Sequence, residues 1–177
     1  MKYKRIFIQN SFVHIVVVVC HRSPLLIKNI DLLRESFKNA KQFFDFEIVA
    51  ICILPDHFHL ILNPKNINEY PKIITAIKYY FSKRIDDVGV ETPTYGYKYK
   101  GEKGIWQRRY YEHTIRDETD LNNHLDYVHY NPVKHGRAQN VKDWEFSSFD
   151  KFVEMGNYDK NWGSANDVIH LEEYDYD

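Results

Sequence analysis

The first residues that could do chemistry are two histidines separated by one phenylalanine, His57 and His59. If this segment is a β-strand, both imidazoles point to the same face, with their Cα atoms roughly 6.5–7 Å apart. Two imidazole nitrogens on one face can converge on a single divalent cation. The spacing therefore indicates a metal site. Two ordinary exposed histidines are the alternative that this pair alone leaves open.

Tyr127 and Asn131 form a second candidate pair, because residues four positions apart meet on one side of a helix. They fall on a flank of an amphipathic helix whose apolar stripe contains Leu125 and Val128. A tyrosine becomes a nucleophile only with help from a metal, a base or a cation. Ordinary packing by the tyrosine and a helix stop before Pro132 are the structural alternatives.

Taken together, the two pairs predict a metal site with a nucleophile beside it. Two imidazoles and an amide oxygen leave coordination positions open, which suits Mg²⁺ or Mn²⁺ bridged to a phosphate. Attack by Tyr127 on that phosphate would give a phosphotyrosine, which retains the energy of the phosphodiester and lets a strand be rejoined without ATP. The sequence agrees with this, since it contains no G-x-x-x-x-G-K-[ST] nucleotide-binding loop.

Three segments of the sequence resemble the signature blocks of the REP-associated tyrosine transposases, which are single-tyrosine HUH transposases related to the IS200/IS605 group. In chain order they are LPDHFH at 54–59, WQRRYYEHTIR at 106–116 and LDYVHYNPVKHG at 125–136. The likeness spans roughly residues 5–150 and includes DWEFSS at 143–148. Three blocks in the same order are far more specific than the two histidines alone.

The resemblance implies a role for each residue of the two pairs. His57 and His59 match the HUH metal ligands, and Tyr127 matches the nucleophile that forms a 5′-phosphotyrosine link. Asn131 stands where relatives place an amide as the third metal ligand, which is glutamine in the insertion-sequence members. The implied cofactor is a divalent metal, Mg²⁺ or Mn²⁺.

The resemblance also implies a DNA substrate. The family cleaves single-stranded DNA near short imperfect hairpins, reads a nearby guide tetranucleotide and leaves a free 3′-OH. The implied partner is therefore single-stranded DNA that carries a REP-like hairpin. The insertion-sequence relatives act as dimers, whereas the repeat-associated members look able to act alone, so both a monomer and a homodimer stay open.

Several basic residues are candidate DNA contacts, because cations beside aromatic rings can track phosphates and stack on unpaired bases. Arg108 and Arg109 lie among aromatic residues of the predicted fourth strand, where alternation would turn only one of them towards DNA. His113, further along that strand, could support the metal ligands from behind or be an ordinary core histidine. The full set of predicted DNA contacts is Arg5, Arg22, Arg108, Arg109, Lys134 and His135.

The elements that must position these residues follow from the hydrophobic pattern. Strands are predicted at 12–20, 46–54, 57–62 and 105–115. Helices are predicted after the first and third strands, and a third helix from Asp117 to Asn131. The resulting order, β-α-β-β-α-β-α, describes an α+β ferredoxin-like sandwich, an antiparallel sheet with its helices on one face.

Charge divides the chain into a basic body and an acidic tail. Residues 139–177 carry ten acidic and three basic side chains, a net of −7, and residues 1–138 carry a net of +6. Near neutrality overall excludes indiscriminate binding to polyanions and leaves room for a selective enzyme. We expect a transposase-like domain over 1–149 and an acidic, aromatic tail over 150–177, which could cover the DNA groove while it is empty.

The sequence favours a reducing compartment and gives no sign of membrane insertion. Cys20 and Cys52 each lie in an apolar run, the usual setting of free cysteines. The sequence shows neither a signal peptide nor an apolar run of roughly 20 residues. We therefore expect a cytoplasmic protein with no membrane partner.

The leading hypothesis is thus a metal-dependent enzyme that cleaves and rejoins single-stranded DNA through Tyr127. A non-catalytic nucleic-acid-binding module on the same fold is one alternative, and it would carry aromatic residues on its two central strands. A phosphodiesterase that uses activated water is another, and it would not need Tyr127.

Overall fold

A four-stranded antiparallel sheet forms the centre of the molecule. The computed structural model describes residues 7–86, 104–168 and 171 of the 177-residue chain. The strands are β1 (Val13–Val18), β2 (Phe46–Ile53), β3 (His57–Pro64) and β4 (Tyr111–Thr114), in the order β2-β3-β1-β4. The helices are α1 (Ile30–Ala40), α2 (Tyr70–Arg84), α3 (Glu118–Lys134), α4 (Phe149–Glu154) and α5 (Ala165–Val168).

The register of the central strands gives the sheet two different faces. Phe58 lies opposite Val17 and is fully buried beside Phe37 and Trp106, in the core formed with α1 and α2. His57 and His59 alternate with Phe58 and therefore point to the other face. The expected placement of both histidines on one face of a strand is confirmed, and Phe58 lies in the core on the other face.

The helices cover both faces of the sheet. Residues of α1 and α2 pack on the side of Phe58, whereas Leu125 and Val128 of α3 pack against Cys52 and Ile61 on the opposite side. The α+β class and the element order are confirmed, but the expected single helical layer holds only for α1 and α2. The second face of β2 and β3 is also apolar, and the apolar stripe of α3 buries it.

The fourth strand is shorter than the predicted 105–115. Trp106 makes an isolated bridge to Val19, and its indole packs on Phe58 and donates to the Lys78 carbonyl oxygen (3.2 Å). Only Tyr111–Thr114 then pairs with β1. Arg108 and Arg109 lie in the irregular segment between these contacts, so strand alternation cannot assign them to faces.

Helix α3 is longer than predicted, because it continues through Pro132 to Lys134. A proline this close to the helix end removes a single backbone donor. The His135 N–H bonds to the Asn131 carbonyl oxygen (3.0 Å) and closes the last turn. As a result, Lys134 and His135 have fixed positions relative to Tyr127.

Helix α4 lies across the expected domain boundary at 149/150. Phe149 and Phe152 are both buried, and Phe152 belongs to the apolar cluster under α3. Residues 150–154 therefore pack with the body of the protein. Within the part of the chain that the structure describes, we find no helix with the length and apolar character needed to cross a bilayer.

His129 fastens α3 to β2 through Ser148. Its Nε2 lies 2.9 Å from the Ser148 hydroxyl, which also accepts from the Ile51 N–H (2.9 Å). Burial lowers the pKa of His129 to about 3, so the ring stays neutral in the folded protein. The unfolded chain binds a proton at this position below about pH 6.5, which favours unfolding as the pH falls.

This burial predicts a pH dependence of stability. As the pH falls from about 6.5 towards 3, His129 should lower the free energy of unfolding progressively, by about 1 kcal/mol per pH unit in the middle of this window. A His129→Gln variant, whose amide can still donate to Ser148, should lose that part of the slope in urea unfolding curves. His21→Asn, at an exposed histidine, should keep it. Equal slopes in His129→Gln and the unmodified protein would contradict the prediction.

Candidate metal and nucleophile site

The two histidines of β3 lie under α3, on the second face of the sheet. His57 and His59 are 1% and 0% exposed, and their ring centroids are 5.1 Å apart. Imidazoles so deeply buried are not the exposed surface pair that the sequence left open.

Helix α3 presents three polar side chains to these histidines, at intervals of four residues. The Tyr127 ring lies 5.5 Å from the His59 ring, and the His135 ring lies 5.0 Å from the His57 ring. Asn131 stands between them along the helix and is fully buried. The four-residue interval places all three on one side of α3.

Asn131 has an amide oxygen available for a ligand. Its Nδ2 donates to the Tyr127 carbonyl oxygen (3.0 Å), whereas its buried Oδ1 has no hydrogen-bond partner among the described residues. Buried polar atoms are normally satisfied, so an unpaired one indicates a missing partner. An amide oxygen is a ligand that divalent cations accept, so a cation is a suitable partner for this atom.

The residues present therefore fit a divalent metal. Ligand atoms of His57, His59 and His135 all lie within 4.8 Å of one another. Imidazole nitrogen and amide oxygen together are donors that divalent cations such as Mn²⁺ and Zn²⁺ accept. The sequence predicted His57, His59 and Asn131 for this role and assigned His135 to DNA.

Asp56 and Arg22 orient His57. The His57 Nδ1 lies 2.9 Å from the Asp56 Oδ1, a contact that keeps the proton on Nδ1 and leaves Nε2 for a ligand. Arg22 Nη1 lies 3.4 Å from the Asp56 Oδ2. Burial raises the pKa of the Asp56 carboxyl, but the hydrogen bond and charge of His57, with the charge of Arg22, lower it below its ordinary value overall.

The backbone at His21 and Arg22 is strained. His21 and Arg22 both have positive φ, 56° and 54°, which is uncommon for residues other than glycine. Such strain tends to occur where a side chain must be delivered to a functional site. Here it brings the Arg22 guanidinium to Asp56, a contact that the sequence did not predict, while 42% of the side chain stays exposed to a substrate.

Lys134 contacts Tyr127, the predicted nucleophile. Its Nζ donates to the Tyr127 Oη (2.8 Å) and lies 4.7 Å from the centre of the ring. An ammonium in this position stabilises a phenolate more than a phenol. The sequence had assigned Lys134 to DNA, and it missed this contact because it ended the helix at Asn131.

The C-terminal segment covers Tyr127. Val168 and Leu171 pack against it, with Trp162 and Tyr130 at the edge of the cluster. Tyr127 is only 1% exposed as a result. The described C-terminal residues therefore limit access to the Tyr127 side chain.

A row of aromatic contacts between histidines leads from His113 to the metal ligands. His113 stacks on His124 (centroids 4.5 Å apart), His124 meets His14 edge-on (5.0 Å), and His14 stacks on His59 (5.7 Å). His113 thus supports His59 only indirectly. Sequence reasoning missed His14 and His124. His14 had left one signal, a polar residue within an otherwise apolar strand.

Asp120 anchors the outer end of this row. Its carboxylate lies 2.8 Å from the His113 Nε2 and accepts from the Arg116 N–H (2.9 Å). Burial raises the pKa of Asp120, but hydrogen bonds from His113 and Arg116 outweigh it and hold the pKa at about 2. The carboxylate therefore stays charged and fixes the His113 ring.

Three predicted DNA contacts remain: Arg108, Arg109 and Arg5. Arg108 and Arg109 are exposed. Arg5 lies outside the described residues, as does the tyrosine- and lysine-rich stretch 95–103.

Comparison with known proteins decides the family. A model of the family described as "Transposase IS200 like" matches residues 7–131, from the segment before β1 to Asn131. The chain belongs to the IS200-like transposases. A curated Haemophilus influenzae relative, whose name places it among the REP-associated tyrosine transposases, is 40% identical over 168 residues, which cover 94% of this chain and 95% of that protein.

Two further matches agree with this assignment of the chain to the IS200-like transposases. A REP-associated tyrosine transposase of Escherichia coli K12 is 34% identical over 169 residues, 94% of this chain and 92% of that protein. A solved structure of a REP-associated tyrosine transposase bound to a REP hairpin superposes with a TM-score of 0.77 at 32% identity, over 93% of this chain and 92% of that one. The resemblance inferred from the three sequence segments is confirmed, and this IS200-like protein is an enzyme of the tyrosine transposase type.

Proposed function

We propose that the protein is a metal-dependent enzyme that cleaves single-stranded DNA beside a hairpin and attaches the 5′ end to Tyr127. One observation carries the proposal: Tyr127 contacts His59, one of the paired histidines, and lies one helical turn from the unpaired amide oxygen of Asn131. A nucleophile beside a metal-binding set is the arrangement that phosphoryl transfer to a side chain requires.

The proposed reaction exchanges one phosphodiester for another. The Tyr127 Oη attacks the phosphorus, its bond to phosphorus forms as the bond to the 3′ oxygen breaks, and the departing oxygen takes up a proton as a 3′-OH. The phenol proton is released to solvent. Rejoining reverses these steps, with a 3′-OH as the attacking group and the phenolate as the leaving group.

The chain's own residues supply three kinds of assistance. A divalent cation held by His57, His59 and Asn131 would offset the negative charge of the scissile phosphate. Lys134 holds its ammonium on the Tyr127 oxygen, where it stabilises the phenolate in both directions. Asp56 keeps the His57 ring in the orientation that its ligand role needs.

The proposed substrate is single-stranded DNA with a REP-like hairpin. Support comes from the solved relative, which is bound to a REP hairpin. Arg22, Arg108 and Arg109 are exposed cations that can bind phosphates on this chain. We propose that a monomer is sufficient for cleavage, because residues of one chain bring Tyr127 to His59; a homodimer is the alternative.

The alternative of a non-catalytic binding module has less support. Modules of that kind display aromatic residues on the two central strands of the sheet. On the corresponding face, β1 and β3 carry His14, His57 and His59, all buried. These strands thus hold the proposed metal site instead of an exposed surface for stacking bases.

A covalent-adduct assay tests the proposed function. The protein is incubated with Mn²⁺ and oligonucleotides that carry an imperfect hairpin with single-stranded flanks, and is then run on a denaturing gel. Tyr127→Phe should give no adduct. Tyr130→Phe, which removes the hydroxyl of the next tyrosine along α3, should still form the adduct. His57→Ala should abolish cleavage and spare hairpin binding. Adduct formation by Tyr127→Phe would refute the nucleophile, and cleavage without any adduct would indicate activated water.

Lys134 should affect the rate of chemistry more than binding. In Lys134→Met the phenolate loses its ammonium partner, so adduct formation should slow by about 10²-fold, the usual effect of removing one charge-stabilising donor. Lys151→Met, at an exposed lysine of α4, is the matched control. If Lys134→Met weakens hairpin binding and leaves the single-turnover rate at saturating DNA unchanged, Lys134 is a phosphate contact instead.

We propose that the C-terminal segment restricts access to Tyr127. Deleting residues 164–177 removes Val168 and Leu171 but keeps α4 and Trp162, so the fold should survive. The truncated protein should form the adduct faster than the full chain, as should the double variant Val168→Ser, Leu171→Ser. Met155→Ser, at an exposed apolar residue, is the control. Equal rates of adduct formation in all four proteins would show that the C-terminal segment has only a structural role.

A further inference from the structure

His135 lies beside the two histidines of β3. Its ring is 5.0 Å from the His57 ring, at an interplanar angle of 73°. Its Nε2 atom is buried, and its ligand atom lies within 4.8 Å of those of His57 and His59. Two donors bound to one cation at about 2.1 Å are at most about 4.2 Å apart, so a small adjustment of the side chains suffices.

The extension of α3 through Pro132 holds His135 in place. Asn131 and His135 are four residues apart, and the bond from the His135 N–H to the Asn131 carbonyl oxygen (3.0 Å) keeps them on one side of the helix. The Asn131 Oδ1, which has no hydrogen-bond partner among the described residues, belongs to a side chain on this side of the helix. Two imidazoles from β3 and one from the end of α3 therefore meet at one place, and the Asn131 amide lies one turn before His135 on the same side of the helix.

We propose that His135 is a fourth protein ligand, so that the cation is bound by three imidazoles and one amide oxygen. This inference rests on the proposed metal site and adds a residue to it. The burial of Nε2 places that nitrogen on the side of His57 and His59 and not at the surface.

A third imidazole has a consequence for the choice of metal. Mg²⁺ prefers oxygen ligands and retains several waters, whereas imidazole suits transition metals. His135 should therefore favour Co²⁺ and Mn²⁺ over Mg²⁺. It also ties the end of α3 to β3, so that metal binding fixes the helix that carries Tyr127 relative to the sheet.

Metal titration without DNA tests the proposal. Co²⁺ binding to the full chain is followed by its visible absorption bands, and Mg²⁺ is measured by competition against Mn²⁺ in electron paramagnetic resonance. His135→Ala should weaken Co²⁺ and Mn²⁺ by more than about tenfold, since the loss of even an outer partner of a ligand costs about 10–100-fold. Mg²⁺ binding should change much less, so the preference for Mn²⁺ over Mg²⁺ should fall.

Controls separate this proposal from the one on which it rests. His21→Asn removes an exposed histidine and should leave all three affinities unchanged. His135→Asn, which suits a helix end, guards against a folding defect, with circular dichroism as the check. If His57→Ala abolishes Co²⁺ binding and both His135 variants bind it normally, the fourth ligand is refuted and the metal site stands. If His57→Ala also binds normally, the metal site itself is refuted.

Discussion

The packing of α3 on the β3 face is the contact on which the site depends. Tyr127 meets His59 and His135 meets His57 because the helix lies over the face to which both strand histidines point. Phe58 fixes that face, since its ring is buried between Phe37 and Trp106 on the other side. A one-residue slip of β3 would exchange the phenylalanine for the histidines, with loss of both the core and the site.

Two charged side chains, Lys134 and Asp56, contact buried residues of the proposed site. Lys134 donates to the oxygen of the buried Tyr127, and the Asp56 carboxylate lies on the buried His57 ring. Electrostatic interactions are stronger there than at an exposed surface. Val168 and Leu171 cover Tyr127, so the chemistry proposed for Tyr127 would require the C-terminal segment to move. In the proposed mechanism, the packing around Tyr127 would therefore both activate its hydroxyl and limit access to it.

Local patterns predicted the parts of the fold and site that local chemistry determines. The period of two around Phe58 gave the facing of His57 and His59, and the four-residue interval gave the pairing of Tyr127 with Asn131. Contacts set by tertiary packing were missed. The burial of Trp106 shortened the fourth strand, the continuation past Pro132 placed Lys134 and His135, and the second apolar face drew α3 to the opposite side from α1 and α2. No spacing along the chain reports that His14 and His124 stand behind His59.

Peptide mapping of the covalent product tests the central claim most directly. Adduct formed with Mn²⁺ and hairpin DNA is digested with protease and nuclease, and the modified peptide is sequenced by mass spectrometry. We predict a nucleotide attached through its 5′ phosphate to Tyr127. Attachment to Tyr130 or any other residue, or a free 5′ phosphate on the cleaved DNA with no modified peptide, would contradict the account.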